Sequence, residues 1–310
     1  MSAFRPHPGM TLQIGPARYI FLPHPLFPND MEEVSLMEGG EAFVYQLQDI
    51  RTAAYWALKV SKPSTRGEHI ARTVTALAPY SQLPGLALGN RLCLDRARFP
   101  ELIAQFPDLE YSVLMPWLAG RTWAGFLADR AASEAYSEPH ALALTRATAQ
   151  VLWNLEAHHL AHTDIAGSNV VLSPEGAHVE LLDVENLYMP QTPTPRYTSH
   201  GTPGYQHPHL GSQGNWRPDG DRFAGAILLT EMLVWADPLV RRYTPEGAES
   251  LFQPHELQTL HLPRWQAARD ALWAMCPAAL TLFDQAWASN DLSECPELSS
   301  WAMALVQSGA

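Results

Sequence analysis

The chain has 310 residues, 46% of them apolar, with 10 Trp, 10 Tyr and 10 Phe, enough for a sizeable core in one large domain or two lobes and too much for a disordered chain. Its 32 acidic and 20 basic residues leave a formal charge of −12, which argues against a general binder of nucleic acid or of anionic membrane. Cys93, Cys276 and Cys295 are widely spaced and form no C-x-x-C pair, which argues against a disulfide framework or a cysteine zinc site and fits a reducing, cytoplasmic setting.

In chain order, residues 1–30 are rich in proline ("FLPHPLFPND") and are predicted to be an irregular lead-in without an apolar signal core. "FVYQLQD" and "AAYWALKV" then read as two strands separated by "IRT". "STRGEHIARTVTALAPY" reads as a helix with Ile70, Val74 and Leu77 on one face and Ser64 or Thr65 near its start. "NRLCLD" and "EYSVLMPWL" are two further strands.

After Gly120 the texture changes. "PHALALTRATAQVLWNLEAHHLAH" is a long helix, and "NVVLSPEGAHVELLDVE" is a hairpin with its turn at Pro-Glu-Gly. "DRFAGAILLTEMLVW" is a nearly all-apolar helix, expected to be buried all round. From Gln253 onward, Trp265, Leu272 and Trp273, then Leu282, Phe283 and Trp287, recur at helical spacing. No run of 18 apolar residues occurs, so no membrane span is predicted. His158, His159 and His162 cluster, but His159 stands where H-E-x-x-H needs glutamate, and the group reads as core or capping residues.

Phosphoryl transfer needs a flexible cover over the phosphates, a cation on them, oxygens for Mg²⁺ and a carboxylate to orient the attacking hydroxyl. "MEGGEAFVY" places Gly39 and Gly40 between two strands, where backbone can approach a phosphate closely. Lys59 lies inside the apolar strand "WALKV". "HTDIAGSN" carries Asp164 and Asn169 on a turn, and Asp183 closes the following hairpin, so two oxygen ligands flank it. Each residue alone has a bland reading, as hairpin glycine, snorkelling lysine or turn-forming Asp or Asn. Their order and spacing together point to phosphate chemistry.

With these residues in place, the sequence resembles the protein-kinase family, in a divergent form like the bacterial Ser/Thr enzymes. Met37 to Val44 is similar to the glycine-rich loop, Lys59 to the V-A-I-K lysine, His162 to Asn169 to the H-R-D-x-x-x-x-N loop, and Asp183-Val184-Glu185 to D-F-G. "GTPGYQHPH", including Thr202, resembles the end of an activation segment, and the stretch from Asp221 the helix that follows it. The resemblance implies an α+β bilobal fold with a small β-rich lobe (31–117) after a 1–30 extension and a helical lobe (118–310). It implies ATP and Mg²⁺ as cofactors, a protein substrate, and no nucleic-acid or membrane partner. Catalytic roles would fall on Asp164, Lys59, Asn169 and Asp183, with Asn169 and Asp183 on the metal. Met115 would be the gatekeeper, the Pro116 carbonyl and Leu118 N–H would meet adenine, and Val44, Ala57 and Leu172 would sandwich it. Asp221 is expected to accept backbone N–H bonds from the loop that begins at His162.

The departures are specific. Met37 and Ala42 replace two loop glycines. Glu68, the acid of the first long helix, either pairs with Lys59 or leaves that ion pair missing. Thr163 stands where an arginine would bind a phosphorylated loop residue, so activity is expected not to depend on such phosphorylation. Ala166 replaces a lysine beside the γ-phosphate, and His209 replaces the glutamate of A-P-E. Three functions stay open: an ATP- and Mg²⁺-dependent Ser/Thr protein kinase, a nucleotide-binding pseudokinase, and a small-molecule kinase of the aminoglycoside or choline type. A separate regulatory protein is expected.

Overall fold

The structure, a computed structural model, describes residues 4–28, 33–173, 178–195, 198–211, 214–244 and 250–308. The fold is α+β, and the chain divides into two compact units, Met1–Leu118 and Ala119–Ala310.

The first unit is built on an antiparallel sheet. Its strands are β1 (Thr11–Ile14), β2 (Ala17–Phe21), β3 (Leu36–Glu38), β4 (Ala42–Asp49), β5 (Tyr55–Ser61), β6 (Leu92–Leu94) and β7 (Ser112–Pro116). They run in the order β1-β2-β4-β5-β7-β6, with β3 also paired to β4. Two helices, α1 (Glu68–Leu77) and α2 (Pro100–Gln105), complete it. The irregular lead-in expected over residues 1–30 is corrected: β1 and β2 form a hairpin whose second strand pairs with β4. Leu12, Ile14, Tyr19 and Phe21 alternate into the core. Each strand contributes only two inward residues, too short an alternation to stand out beside the prolines that follow.

The start of α1 also differs from expectation. The helix begins at Glu68 behind Gly67, with no side-chain cap. The Thr65 hydroxyl donates instead to the carbonyls of Glu41 (2.9 Å) and Lys62 (3.1 Å), closing the turn before the helix.

The second unit contains β8 (Arg121–Thr122), α3 (Trp123–Ala128), α4 (Arg130–Glu134), α5 (Glu138–Ala157), β9 (Val170–Leu172), β10 (Val179–Leu181), α6 (Arg222–Val234), α7 (Pro238–Tyr243), α8 (Pro263–Met275), α9 (Pro277–Trp287) and α10 (Leu298–Gln307). β8, β9 and β10 form a small antiparallel sheet. The Pro-Glu-Gly turn expected between β9 and β10 lies outside the described residues.

α6 is the axis of this unit. Every residue from Phe223 to Val234 is buried, as its unbroken apolar sequence requires. Gly225 lets α5 and α10 approach it: a Cβ there would come within 2.9 Å of Leu298 and 3.2 Å of Leu152. On α8, Trp265 and Leu272 are buried, but Trp273 is 67% exposed. Its expected place on the packed face is corrected. The buried stripe runs through residues 264–265, 267–268 and 271–272, and Trp273 falls one residue past its edge.

The three cysteines are buried and unbridged. Burial pushes the Cys93 and Cys295 thiols up to about 11, so neither is a ready nucleophile. Among the described residues no helix is long and apolar enough to cross a membrane.

Candidate functional site

In the first unit, strand register gathers several predicted residues on one face of the sheet. Val44 pairs with Lys59 across β4 and β5, and Ala57 pairs with Met115 across β5 and β7. Side chains alternate along strands, so Val44, Ala57, Lys59 and Met115 share a face. The opposite face carries Tyr45, Leu47, Leu58, Val60 and Leu114 into the hydrophobic core with β1 and β2. Lys59 therefore points away from the core that its strand builds. Only two of the chain's 20 basic residues are lysines, Lys59 and Lys62, and Lys62 lies beside exposed Glu38 at 3.0 Å. Pro116 ends β7 opposite Trp56, and Leu118 closes the unit.

Gly39 donates its N–H to the Ala42 carbonyl at 2.9 Å. An added Cβ would meet nothing closer than 3.5 Å at Gly39 and nothing within 4 Å at Gly40. The fold itself thus has no steric need for glycine here, which leaves this backbone open to close approach from outside. Glu68 is 77% exposed and forms an ion pair with Arg72, one turn along α1, at 3.6 Å. That is the pair the structure gives it, in place of Lys59.

In the second unit, the loop between α5 and β9 is fixed from beneath. Asp221, 2% exposed at the start of α6, accepts the backbone N–H groups of His162 (2.5 Å) and Thr163 (2.8 Å). His162 lies against the Leu182 carbonyl through Nε2 at 2.6 Å. Thr163 has φ +69°, a conformation that costs a β-branched residue about 1–2 kcal/mol. Next to it, Asp164 is half-buried, and its Oδ1 accepts the Thr202 hydroxyl at 2.8 Å. The Asn169 amide donates to the Asp164 carbonyl at 2.8 Å. Asp183, exposed and left-handed at φ 49° and ψ 39°, begins the turn after β10. Leu172 is buried on β9.

Among the described residues, no three His, Cys, Asp or Glu side chains are grouped to hold a metal. Asn169 and Asp183 are hard oxygen donors of the kind Mg²⁺ takes, and Mg²⁺ commonly completes such a set with water and phosphate oxygens. In donor type alone, Asn169 and Asp183 match such a metal.

Several residues in this part of the unit were not singled out by sequence reasoning. Glu231, 0% exposed on α6, accepts from the Trp123 indole at 2.5 Å, from the Tyr205 hydroxyl at 2.7 Å and from the Leu251 N–H. Burial pushes its carboxyl up to about 7, against the pull of those donors. The available signal was one acid in an otherwise apolar helix. Asn215, 3% exposed, is a second omission; its amide donates to the Thr163 carbonyl at 2.9 Å.

The segment after Thr202 is held without a charge pair on exposed His209. Instead His207, 1% exposed, accepts the His209 N–H at Nδ1 (3.1 Å) and meets the Ser289 hydroxyl through Nε2 (3.1 Å). Burial, and then the neighbouring His209, lower its pKa below the ordinary value. The unfolded chain therefore binds the proton first as pH falls, and this contribution to stability is lost below about pH 6.5. Thermal unfolding compared from pH 8 to 5 is expected to show that His207→Gln loses less stability on acidification than wild type, whatever the other titrating groups contribute to both. The same pH dependence in variant and wild type would overturn this role of His207.

No family model matches the chain. A curated relative is the serine/threonine-protein kinase PLK4 of Drosophila virilis, 25% identical over 205 residues, or 66% of this chain. The chain spans about a quarter of the length of that relative. The match, together with the α+β fold, supports a distant relationship to protein kinases.

Proposed function

We propose that the protein is an ATP- and Mg²⁺-dependent kinase that transfers the γ-phosphoryl group to a Ser or Thr hydroxyl of a protein substrate. The observation that carries this reading is the held carboxylate of Asp164, with the Thr202 hydroxyl on its side chain and the Asn169 amide on its carbonyl.

In this reading Asp164 orients the substrate hydroxyl and accepts its proton. The substrate oxygen forms a bond to the γ-phosphorus as the bond to the β–γ bridging oxygen breaks, and ADP leaves. Asn169 and Asp183 hold Mg²⁺, which supplies neutralisation of phosphate charge when bound. Lys59 and the Gly39–Gly40 backbone hold the phosphates. Val44, Ala57, Met115, the Pro116 carbonyl, the Leu118 N–H and Leu172 receive the adenine. Thr163 offers no cation to a phosphorylated loop residue, so activity does not require that modification.

The test is transfer of label from γ-labelled ATP with Mg²⁺, comparing wild type with Asp183→Asn. Labelled generic Ser/Thr protein acceptors, unlabelled aminated sugars and a loss of about 100-fold in the variant are expected, since a metal ligand on the phosphates acts mainly in the transition state. Label on the sugars alone would point to a small-molecule kinase. No label anywhere, with thermal stabilisation by nucleotide, would point to a pseudokinase.

A further inference from the structure

Thr163 is 1% exposed and is held by all three of its polar groups. Its N–H goes to Asp221, its carbonyl accepts the Asn215 amide at 2.9 Å, and its hydroxyl donates to the Asn186 carbonyl at 3.0 Å. Asn186 closes the turn that Asp183 begins. Asn215 in turn donates its backbone N–H to the Ser199 carbonyl at 3.0 Å, and the Ser199 hydroxyl accepts the Gly201 N–H at 3.0 Å. Thr202, next in the chain, donates to Asp164. The bonds thus run from the Asp183 turn through Thr163 and Asn215 to the segment at 199–202, and return to the loop at Asp164.

We infer that Thr163 and Asn215 are positioning residues that lock this loop, the Asp183 turn and the 199–202 segment together permanently, through neutral hydrogen bonds. Neither touches the reacting atoms. A charge pair to a phosphate would make the same connection only after modification, whereas an amide and a hydroxyl make it in the protein as synthesised. The left-handed backbone of Thr163 fits this role. Such strained residues persist where the surroundings over-determine them, and here Asp221, Asn215 and Asn186 do so through three hydrogen bonds. The catalytic consequence rests on the kinase reading above; the lock itself does not.

The test compares Thr163→Val with Thr163→Ser. Valine keeps the β-branch and its strain but loses the hydroxyl, while serine keeps the hydroxyl. Asn215→Ala is the second arm. Amide hydrogen exchange at Gly201 and Asn215, measured without nucleotide, is expected to speed up at least 10-fold in Thr163→Val and Asn215→Ala and to stay near wild type in Thr163→Ser. In phosphotransfer assays kcat is expected to fall about 10-fold in the first two, with KM for ATP within twofold and full activity in phosphatase-treated wild type. Equal exchange in the valine and serine variants, or loss of activity on phosphatase treatment, would overturn the inference. Should the protein transfer no phosphate at all, the exchange measurement still decides the lock, and if Asn215→Ala fails to fold, the Thr163 pair decides it alone.

Discussion

Replacing Asp164 with alanine is expected to lower the rate of γ-phosphate transfer about 1,000-fold, the middle of the range for a lost proton acceptor. KM for ATP should stay within about twofold, because in the proposed arrangement Asp164 meets the hydroxyl substrate and not the nucleotide. The structure makes this a clean substitution. Among the described residues the Asp164 side chain accepts the Thr202 hydroxyl, and the Asn169 amide binds its backbone carbonyl, which alanine retains. The loop below stays tied by Asp221 to residues 162 and 163. Initial rates at saturating Mg²⁺ check it. A variant with more than a tenth of wild-type transfer would remove Asp164 from the role of base.

Glu231→Ala is expected to cost about 3–5 kcal/mol of folding stability. One change leaves the Trp123 indole, the Tyr205 hydroxyl and the Leu251 N–H without their shared acceptor, and Trp123 and Tyr205 are 0% and 1% exposed. The hydrogen bonds lost from buried donors and a new cavity each add to the cost. Denaturant unfolding measures it, and a loss below about 1 kcal/mol would contradict the account. The same carboxyl has a pH signature. Burial raises its folded pKa to about 7, so the native state keeps a proton that the unfolded chain releases near pH 4.5. The resulting stability is present in full below that value and is lost as pH rises to about 7, a swing of about 3 kcal/mol. Glu231→Gln should abolish this fall, whatever it costs at one pH by placing an amide N–H₂ against the Leu251 N–H. The His207 effect runs the other way with pH, so the two variants separate them.

Much of the fold was legible in local pattern. β4 and β5 showed themselves by apolar and aromatic runs, α5 by its length and α6 by its unbroken apolar composition. The β1–β2 hairpin escaped because two inward residues per strand make too brief a period beside a proline-rich stretch. Trp273 escaped because spacing along a helix does not say where the packed stripe ends. Asp164, Asn169 and Asp183 stood out as candidates because five- and fourteen-residue separations stay within one loop and one hairpin. Asn215 carried no local signal, being an asparagine among glycine, glutamine and tryptophan in a turn-rich stretch.

By itself, the sequence determined which groups could accept a proton, hold a hard cation or meet a phosphate, because these are properties of residue type at short spacing. It also showed that Thr163 and Ala166 bring no charge to the loop. Only the tertiary structure decided what holds the loop instead. The bonds from Asp221 to His162 and from Asn215 to Thr163 span 59 and 52 residues. A hydrogen bond needs its partners about 3 Å apart and aligned, and over such separations only the packing of α6 and its neighbours sets that geometry.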